Sequence, residues 1–176
     1  GYMKIAIPYH SQKPGSQDCG PVCVQMILEH FNKKVLLKDI VTQLSYGKMG
    51  TSAYQNGSVL LKNNLSVTAI TAQPILFSPD IIKKLKNKKT LLRYLDKKIT
   101  GSKQFKAGIK YMRNFILAGG NLRLEIPQGK HISEALEKGK LVLALLYGRA
   151  LGSKEGSFHF VVISGYRRNA VYINNP

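Results

Sequence analysis

Apolar and polar residues recur along the chain with two periods, one typical of helices and one typical of strands. Val22, Met26, Ile27 and Phe31 have the three- and four-residue spacing that lines one face of a helix. Spacing and end signals predict helices over residues 19–32, 37–44, 52–63 and 128–139, and two or three more within 78–118. Alternating or continuous apolar runs predict strands over residues 3–8, 65–72, 121–126, 141–147, 158–166 and 171–173. Because helices come first and most strands later, the order predicts an α+β fold with a mostly antiparallel sheet.

Length and composition set limits on what the molecule is. At 176 residues, 44% of them hydrophobic, the chain is expected to form a single domain, 1–176, with a full core. The longest apolar run, Leu141 to Leu146, is too short to cross a bilayer. The net charge of +18 predicts attraction to polyanions, although a lysine-rich composition is also a general property of proteins from AT-rich genomes.

Much of the charge lies in a basic segment at about 78–118, which we expect to be a helical insertion. Twelve Lys or Arg residues and one acid, Asp96, lie between Lys83 and Arg113, with apolar residues interleaved. The simplest interpretation is a solvated face of amphipathic helices. The alternative is a docking surface, residues 83–113, for an acidic protein or an anionic membrane. Because aromatic residues are sparse there, specific recognition of nucleic acid is not expected, and binding by charge alone is a third interpretation.

The most reactive position in the sequence is Cys19, at the start of the first predicted helix. Gly20 leaves the backbone open and Pro21 suits a first helical turn, so Cys19 is expected at the helix N-terminus. Unpaired N–H groups and the helix dipole favour a thiolate there, which makes Cys19 a candidate nucleophile. The alternative is that Cys19 and Cys23 are two small core residues one turn apart. Their spacing indicates neither a disulfide framework nor, without a histidine cluster, a zinc site, so neither a metal nor a cofactor is expected.

Free thiols weakly favour a reducing compartment such as the cytoplasm. The start of the chain, Gly1-Tyr2-Met3, is typical of a cloning remnant before a native methionine or before a trimmed segment, so an earlier export signal stays an open alternative.

Four histidines are candidates for the base that would activate Cys19. His30 ends the helix that Cys19 begins, about 16 Å away at the helical rise, so it is too distant. His131 is expected to be a surface or capping residue, and His10 lies in the loop before Cys19. His159 opens a buried strand whose backbone would hold its ring rigidly, so it is the best-placed base, although a satisfied core histidine is the commoner role there.

Several separate stretches together resemble one protein family. Two are specific, Asp18-Cys19-Gly20-Pro21-Val22-Cys23-Val24-Gln25-Met26-Ile27-Leu28 and His159-Phe160-Val161-Val162-Ile163-Ser164-Gly165-Tyr166. Weaker pieces lie at residues 7–12, 50–52, 132–143 and 171–176. An early helix-entry Cys, a late strand-opening His and a carboxamide on the next strand follow the order of papain-like cysteine peptidases. Within that class the chain resembles the family that cleaves double-glycine leaders from bacteriocins, together with its stand-alone relatives, over most of residues 4–72 and 121–176.

The resemblance implies a papain-like fold, with the nucleophile helix packed on the sheet, and a cysteine peptidase that acts on a peptide or protein substrate. Carried over residue by residue, it makes Cys19 the nucleophile, His159 the general base and acid, and Gln12 the oxyanion donor. Asn175 matches the position of the family's aspartate. An asparagine can orient the imidazole but adds no full charge to stabilise the imidazolium.

These departures leave alternatives open. Gln12 lies seven residues before Cys19, a slightly wider gap than in the family, and Gln17 is a competitor that is too close to curl back easily. Asn174 competes with Asn175 for the imidazole. A thiol acyltransferase or amidase would use the same residues, and a catalytically weak papain-like scaffold would bind an acidic partner through the cationic helices.

Overall fold

The computed structural model describes residues 1–47, 50–101, 105–148 and 157–176. The chain divides into two compact units, residues 1–56 with 128–176, and residues 57–127. The second unit contains the whole basic segment with residues on both sides of it. The single domain with an insertion at 78–118 stays a prediction, and the loop predicted at 148–157 lies almost entirely outside the described residues.

The helices and strands occur where the hydrophobic pattern predicts them, with ends that differ by a few residues. The helices are α1 (Cys19–His30), α2 (Leu37–Thr42), α3 (Ala53–Lys62), α4 (Pro79–Lys84), α5 (Lys88–Gly101), α6 (Lys106–Leu117) and α7 (Gly129–Glu137). The strands are β1 (Tyr2–Lys4), β2 (Thr68–Thr71), β3 (Asn121–Leu124), β4 (Val142–Tyr147), β5 (Phe158–Arg167) and β6 (Ala170–Asn174). Strand β1 is shorter than predicted, although the Ile5 N–H that follows it still donates to the Ser164 carbonyl of β5 at 2.7 Å. In the described part of the chain, no helix has the length and apolarity that a membrane span needs.

The first unit is built around strand β5 and helix α1. Strand β5 pairs antiparallel with β1, β4 and β6, as the predicted antiparallel sheet requires. One sheet face packs on α7, where Leu136 contacts the core formed with Val161 and Ile163. Helix α1 packs against β5, and eight of its twelve residues are buried. A helix buried on most sides fixes its first residue firmly relative to the sheet.

The second unit combines the three basic helices with a two-stranded sheet. Its core contains Phe77 from the loop before α4, Leu95 from α5, and Met112 and Phe115 from α6, all of which are buried. Ser78 caps α4 by accepting a hydrogen bond from the Ile81 N–H at 3.3 Å. Strands β2 and β3 pair in parallel, and no local sequence pattern predicts this pairing. The helices between them supply the long crossover that parallel strands require.

Candidate active site

Helix α1 begins at Cys19, as the sequence predicts, and its two cysteines have different environments. Cys19 is partly exposed and Cys23, one turn later, is completely buried, and both are free thiols. The Val22 N–H donates to the Asp18 carbonyl at 2.9 Å, which closes the first turn behind Cys19. Burial, and then the neighbouring charge of Cys19, raise the pKa of the Cys23 thiol. Of the two, Cys19 is therefore the accessible one, and Cys23 is a neutral core residue at ordinary pH.

The first turn of α1 lies directly against two polar residues, Thr51 and Asn56. A Cβ atom added at Gly20 would lie 2.2 Å from Thr51 Oγ1 and 2.5 Å from Asn56 Nδ2. Asn56 is completely buried, and its Nδ2 donates to Thr51 Oγ1 at 2.9 Å. Gly20 is therefore needed for this close approach, and the expectation that it leaves the backbone open is wrong, because Thr51 and Asn56 fill the space beside it. Sequence analysis missed Asn56, since an asparagine inside a predicted helix carries no local signal of burial.

Asn175 is the side chain that contacts His159. His159 is the second residue of β5, and its Nε2 lies 2.6 Å from Asn175 Oδ1. An amide oxygen only accepts hydrogen bonds, so this contact puts the imidazole proton on Nε2 and leaves Nδ1 as the basic nitrogen. Asn174 is turned away, because its Nδ2 donates to the Ile7 carbonyl at 3.5 Å and lies 4.0 Å from the Met26 sulfur. The choice between the two asparagines is thereby resolved in favour of Asn175 as the contact.

The loop that carries Gln12 is joined to the residues after β6. The Gln12 backbone N–H donates to the Pro176 carbonyl at 2.9 Å, and the Tyr9 hydroxyl donates to the Asn175 carbonyl at 2.7 Å. The Gln12 side chain donates through Nε2 to the Ser16 carbonyl at 2.9 Å. Its Oε1 is buried without a hydrogen-bond partner among the described residues. The Gln12 amide is thus held by its own loop, at Ser16, which lies three residues before Cys19.

Gln17, the competing amide, is exposed, and its backbone and side chain lie beside Gly50. Its neighbour Asp18 accepts a hydrogen bond from the Tyr46 hydroxyl. Burial, followed by this hydrogen bond and the charge of Asp18, raises the pKa of Tyr46. Tyr46 therefore stays protonated at ordinary pH and ties the residue before Cys19 to the segment after α2.

The other three histidines are engaged elsewhere. His10 pairs through Nε2 with Glu29 Oε2 at 2.5 Å, and His30 packs its ring on Phe31 with the ring centroids 4.9 Å apart. His131 caps α7, since its Nδ1 accepts the Gln128 N–H at 2.9 Å. Of the two roles expected for His131, a surface residue or a cap, the structure shows the cap, and the residue is only 9% exposed. Residues 1–47, 50–101, 105–148 and 157–176 contain no group of three His, Cys, Asp or Glu side chains that could hold a metal ion.

Four residues of the first unit are thus linked by short contacts or by short stretches of chain. Asn175 holds His159, the residue after Asn175 accepts from Gln12, and the Gln12 side chain binds the loop that leads into Cys19. A thiol at a helix N-terminus, an imidazole with a fixed tautomer and an amide donor are the groups that acyl transfer from an amide requires.

A family model matches residues 7–98, just over half of the chain, and it is the model of the Peptidase C39 family. The chain belongs to the peptidase C39 family. This confirms the resemblance to the bacteriocin leader peptidases, and membership indicates a cysteine peptidase, whose substrates are peptides or proteins. Neither the curated proteins nor the solved structures include a match to the chain.

The matched range of this C39 chain divides the candidate site. It contains Gln12 and Cys19, whereas His159 and Asn175 lie beyond its end. The match also continues to residue 98, inside the basic segment, which the sequence indicates is either outside the resemblance or strongly diverged, and the match favours the second alternative as far as residue 98. The family match therefore covers Gln12 and Cys19, whereas His159 and Asn175 are brought together only by the structure, through their 2.6 Å contact.

Proposed function

We propose that this C39 chain hydrolyses peptide bonds, with Cys19 as nucleophile, His159 as general base and acid, Asn175 as the residue that orients the imidazole, and Gln12 as oxyanion donor. The observation that carries the proposal is the 2.6 Å contact between His159 Nε2 and Asn175 Oδ1. It leaves Nδ1 of His159 free of its proton, as a general base must be. The packing of α1 on β5 and the position of Cys19 at the start of α1 support it further.

In the first half of the reaction, His159 Nδ1 takes the proton of the Cys19 thiol, and the sulfur attacks the carbonyl carbon of the scissile bond. As the S–C bond forms, the carbonyl π electrons move to the oxygen. The oxyanion accepts hydrogen bonds from the Cys19 backbone N–H and from Gln12 Nε2. Gln12 has a hydrogen for this purpose, because an amide nitrogen carries two and Ser16 accepts one.

In the second half, the C–N bond breaks and the imidazolium of His159 gives its proton to the leaving amine. Water then loses a proton to His159 and attacks the thioester, which releases the carboxylic acid product and restores the Cys19 thiol. Asn175 keeps the imidazole in the productive tautomer throughout. It carries no charge, so it stabilises the imidazolium less than an aspartate would, and we expect turnover to be slow.

The proposal is tested by following hydrolysis of a peptide library by mass spectrometry in the wild type, Cys19→Ala and His159→Ala. Cys23→Ala is the matched control, because it removes the same functional group from the same helix one turn away. We expect both site variants to lose hydrolysis and Cys23→Ala to retain it. Hydrolysis that persists in Cys19→Ala would show that another residue is the nucleophile.

A second measurement separates an activated thiol from an ordinary one. Iodoacetamide should label Cys19 at about pH 6 faster than it labels a free thiol, because only the thiolate reacts. Equal rates would contradict activation of the Cys19 thiol by His159. Together with absent hydrolysis, they would favour the scaffold alternative, in which the fold binds an acidic partner without catalysis.

The neutral Asn175 gives a specific reason to keep acyl transfer as a second candidate. A thiol enzyme with a weakly assisted base forms the thioester and depends on the acceptor that arrives next. Adding hydroxylamine to the library reaction distinguishes the two, because an acyltransferase partitions toward the hydroxamate, whereas a peptidase or an amidase releases the carboxylic acid. If the carboxylic acid dominates at all hydroxylamine concentrations, hydrolysis is the native reaction.

A further inference from the structure

The second unit carries more positive charge than its size predicts. Residues 57–127 include 14 Lys or Arg and three acids, whereas the longer first unit includes 13 and six. Two of those three acids are already paired, Asp96 with Arg113 at 2.5 Å and Glu125 with Arg123 at 3.0 Å. Most of the cations of this unit therefore have no acidic partner within the described part of the chain.

The exposed cations form stripes on two packed helices. Lys89, Arg93 and Lys97 follow one another every four residues along α5, and all three are exposed. At 100° per residue they fall within about 80° of the helix circumference. Helix α5 packs against α6, on which Lys106 and Lys110 have the same spacing and are also exposed.

An ion pair joins the two stripes into one surface. Asp96 lies one turn beyond Arg93 on α5, Arg113 lies one turn beyond Lys110 on α6, and these two side chains are the pair at 2.5 Å. The surface that includes Lys89, Arg93, Lys97, Lys106 and Lys110 is called the cationic face below. Its one acid is neutralised within the surface, so the face presents only positive charge to an approaching partner.

The cationic face is arranged against the stability of its own helices. Helices α5 and α6 have no acid in their first turns, where α5 carries Lys88 and Lys89, and α6 carries Lys106. Cations oppose the positive end of the helix dipole there, and like charges four residues apart repel. Local rules are broken in this way mainly where binding supplies the compensation. An anion bound to this face would relieve both effects.

Apolar side chains are exposed at both ends of the same helix. Phe105, immediately before Lys106, is 68% exposed and adopts the left-handed conformation with φ of 62°, which is rare for a bulky residue. Leu117, at the end of α6, is 51% exposed and falls on the helix side of Lys106 and Lys110. Exposed apolar residues among lysines are typical of a surface that lies in a membrane interface.

The side-chain types favour lipid over nucleic acid or a specific acidic protein. Ten of the twelve cations between Lys83 and Arg113 are lysines, which act as hydrated point charges, whereas two-pronged recognition of phosphate or carboxylate favours arginine. The described part of this segment has one exposed aromatic ring, that of Phe105, whereas a base-stacking platform needs several. The Tyr94 hydroxyl is bound to the Leu76 carbonyl at 2.5 Å, and its ring packs between Phe77 and Lys98.

We infer that the cationic face, with Phe105 as an apolar anchor, docks this chain on the surface of an anionic lipid bilayer. The lysines attract the anionic headgroups, and Phe105 enters the interface between headgroups and acyl chains. This inference does not depend on the proposed catalytic residues, and inactive Cys19→Ala protein is expected to bind in the same way.

The test is cosedimentation with vesicles of phosphatidylglycerol and phosphatidylcholine, with pure phosphatidylcholine as the uncharged reference. Each lysine or arginine near an anionic surface contributes about fivefold to binding, so the Lys89→Gln, Arg93→Gln, Lys97→Gln triple variant should bind about a hundredfold more weakly. The matched control is Lys34→Gln, Lys38→Gln, Lys140→Gln, which removes the same charge from exposed lysines of the first unit. If both triple variants lose binding equally, only total charge matters and the assigned face is wrong.

Phe105 is tested with a fluorescent reporter. The chain contains no tryptophan, so Phe105→Trp introduces a single tryptophan, which can be excited separately from the nine tyrosines. Its emission should shift to the blue with anionic vesicles, and Ile75→Trp, at a site that is 90% exposed in the same unit, should not shift. Duplex DNA is the competitor. DNA that binds as tightly as the vesicles, or vesicle binding without a shift at position 105, would overturn the inference and indicate a polyanion site that recognises charge alone.

Discussion

Gly20→Ala tests whether the first turn of α1 is packed as closely against Thr51 and Asn56 as the structure indicates. The substitution adds one methyl group next to Cys19. That methyl carbon would lie 2.2 Å from Thr51 Oγ1 and 2.5 Å from Asn56 Nδ2, well inside van der Waals contact. Both partners are held, because Asn56 is completely buried and donates to Thr51. The helix or the pair must therefore move.

The expected effect is the difference between two terms. Overpacking a tight site costs about 1–3 kcal/mol, and losing the buried Asn56–Thr51 hydrogen bond adds about 1 kcal/mol. Alanine gains at most about 1 kcal/mol over glycine in helix propensity. We expect the free energy of unfolding to fall by about 2 kcal/mol, which lowers the melting temperature by roughly 4–8 °C for a chain of this size.

The matched control is Gly108→Ala in α6, where an added Cβ meets nothing within 4 Å. The same chemical change should there stabilise the protein by about 0.5–1 kcal/mol, through helix propensity alone. Urea unfolding of both variants gives the two free energies, with an unchanged m value as the check that only stability changed. If Gly20→Ala is as stable as the wild type while Gly108→Ala is stabilised, the close approach at Gly20 is refuted.

Three further predictions concern the candidate site and the cationic face. Asn175→Ala should lower kcat/KM for peptide hydrolysis by roughly 10–100-fold, because a hydrogen bond to a charged imidazolium contributes about 1.5–3 kcal/mol. Asn175→Asp should raise kcat/KM. Equal rates in both variants would exclude Asn175 from orienting His159. Since burial raises the pKa of the Cys23 thiol above its ordinary value of 9.0, the unfolded chain loses this proton first, so stability is complete below about pH 9 and falls above it by up to about 1.4 kcal/mol per pH unit. The slope of unfolding free energy against pH should be shallower in Cys23→Ala, and identical slopes would contradict the burial argument. Lys89→Glu should raise the free energy of unfolding by about 1 kcal/mol in thermal melts, because it replaces a first-turn cation on α5 and a repulsion from Arg93 by favourable interactions. The same variant should bind vesicles more weakly. A lower melting temperature would show that the first-turn charge is compensated.

The parts of the fold that depend on local sequence were predictable. Helix α1 carries its apolar stripe, its proline and its glycine within a dozen residues, so both its extent and the position of Cys19 follow from periodicity and end signals. The same holds for the Ser78 cap of α4. These features require no knowledge of what the helix packs against.

The parts of the fold that depend on contacts between distant residues were not predictable from the sequence. Nothing in the sequence indicates that β2 pairs in parallel with β3 across the basic helices, because pairing depends on the partner strand and the crossover between them. Asn174 and Asn175 are chemically identical, and only the alternation of side chains at the end of β6 directs one toward Met26 and the other toward His159. The burial of Asn56 and of His131 does not follow from local sequence either, because burial of a polar residue depends on tertiary packing.

The distance along the chain between Cys19 and His159 has a consequence for how this protein is made. Cys19 and His159 are separated by 140 positions along the chain, and the ordering of so long a loop costs roughly 4 kcal/mol of chain entropy. During synthesis α1 leaves the ribosome long before β5 and β6, so a nascent chain carries the thiol without its base. A ribosome-bound intermediate is therefore expected to lack the proposed site, which is complete only when the polypeptide has been extended through Asn175.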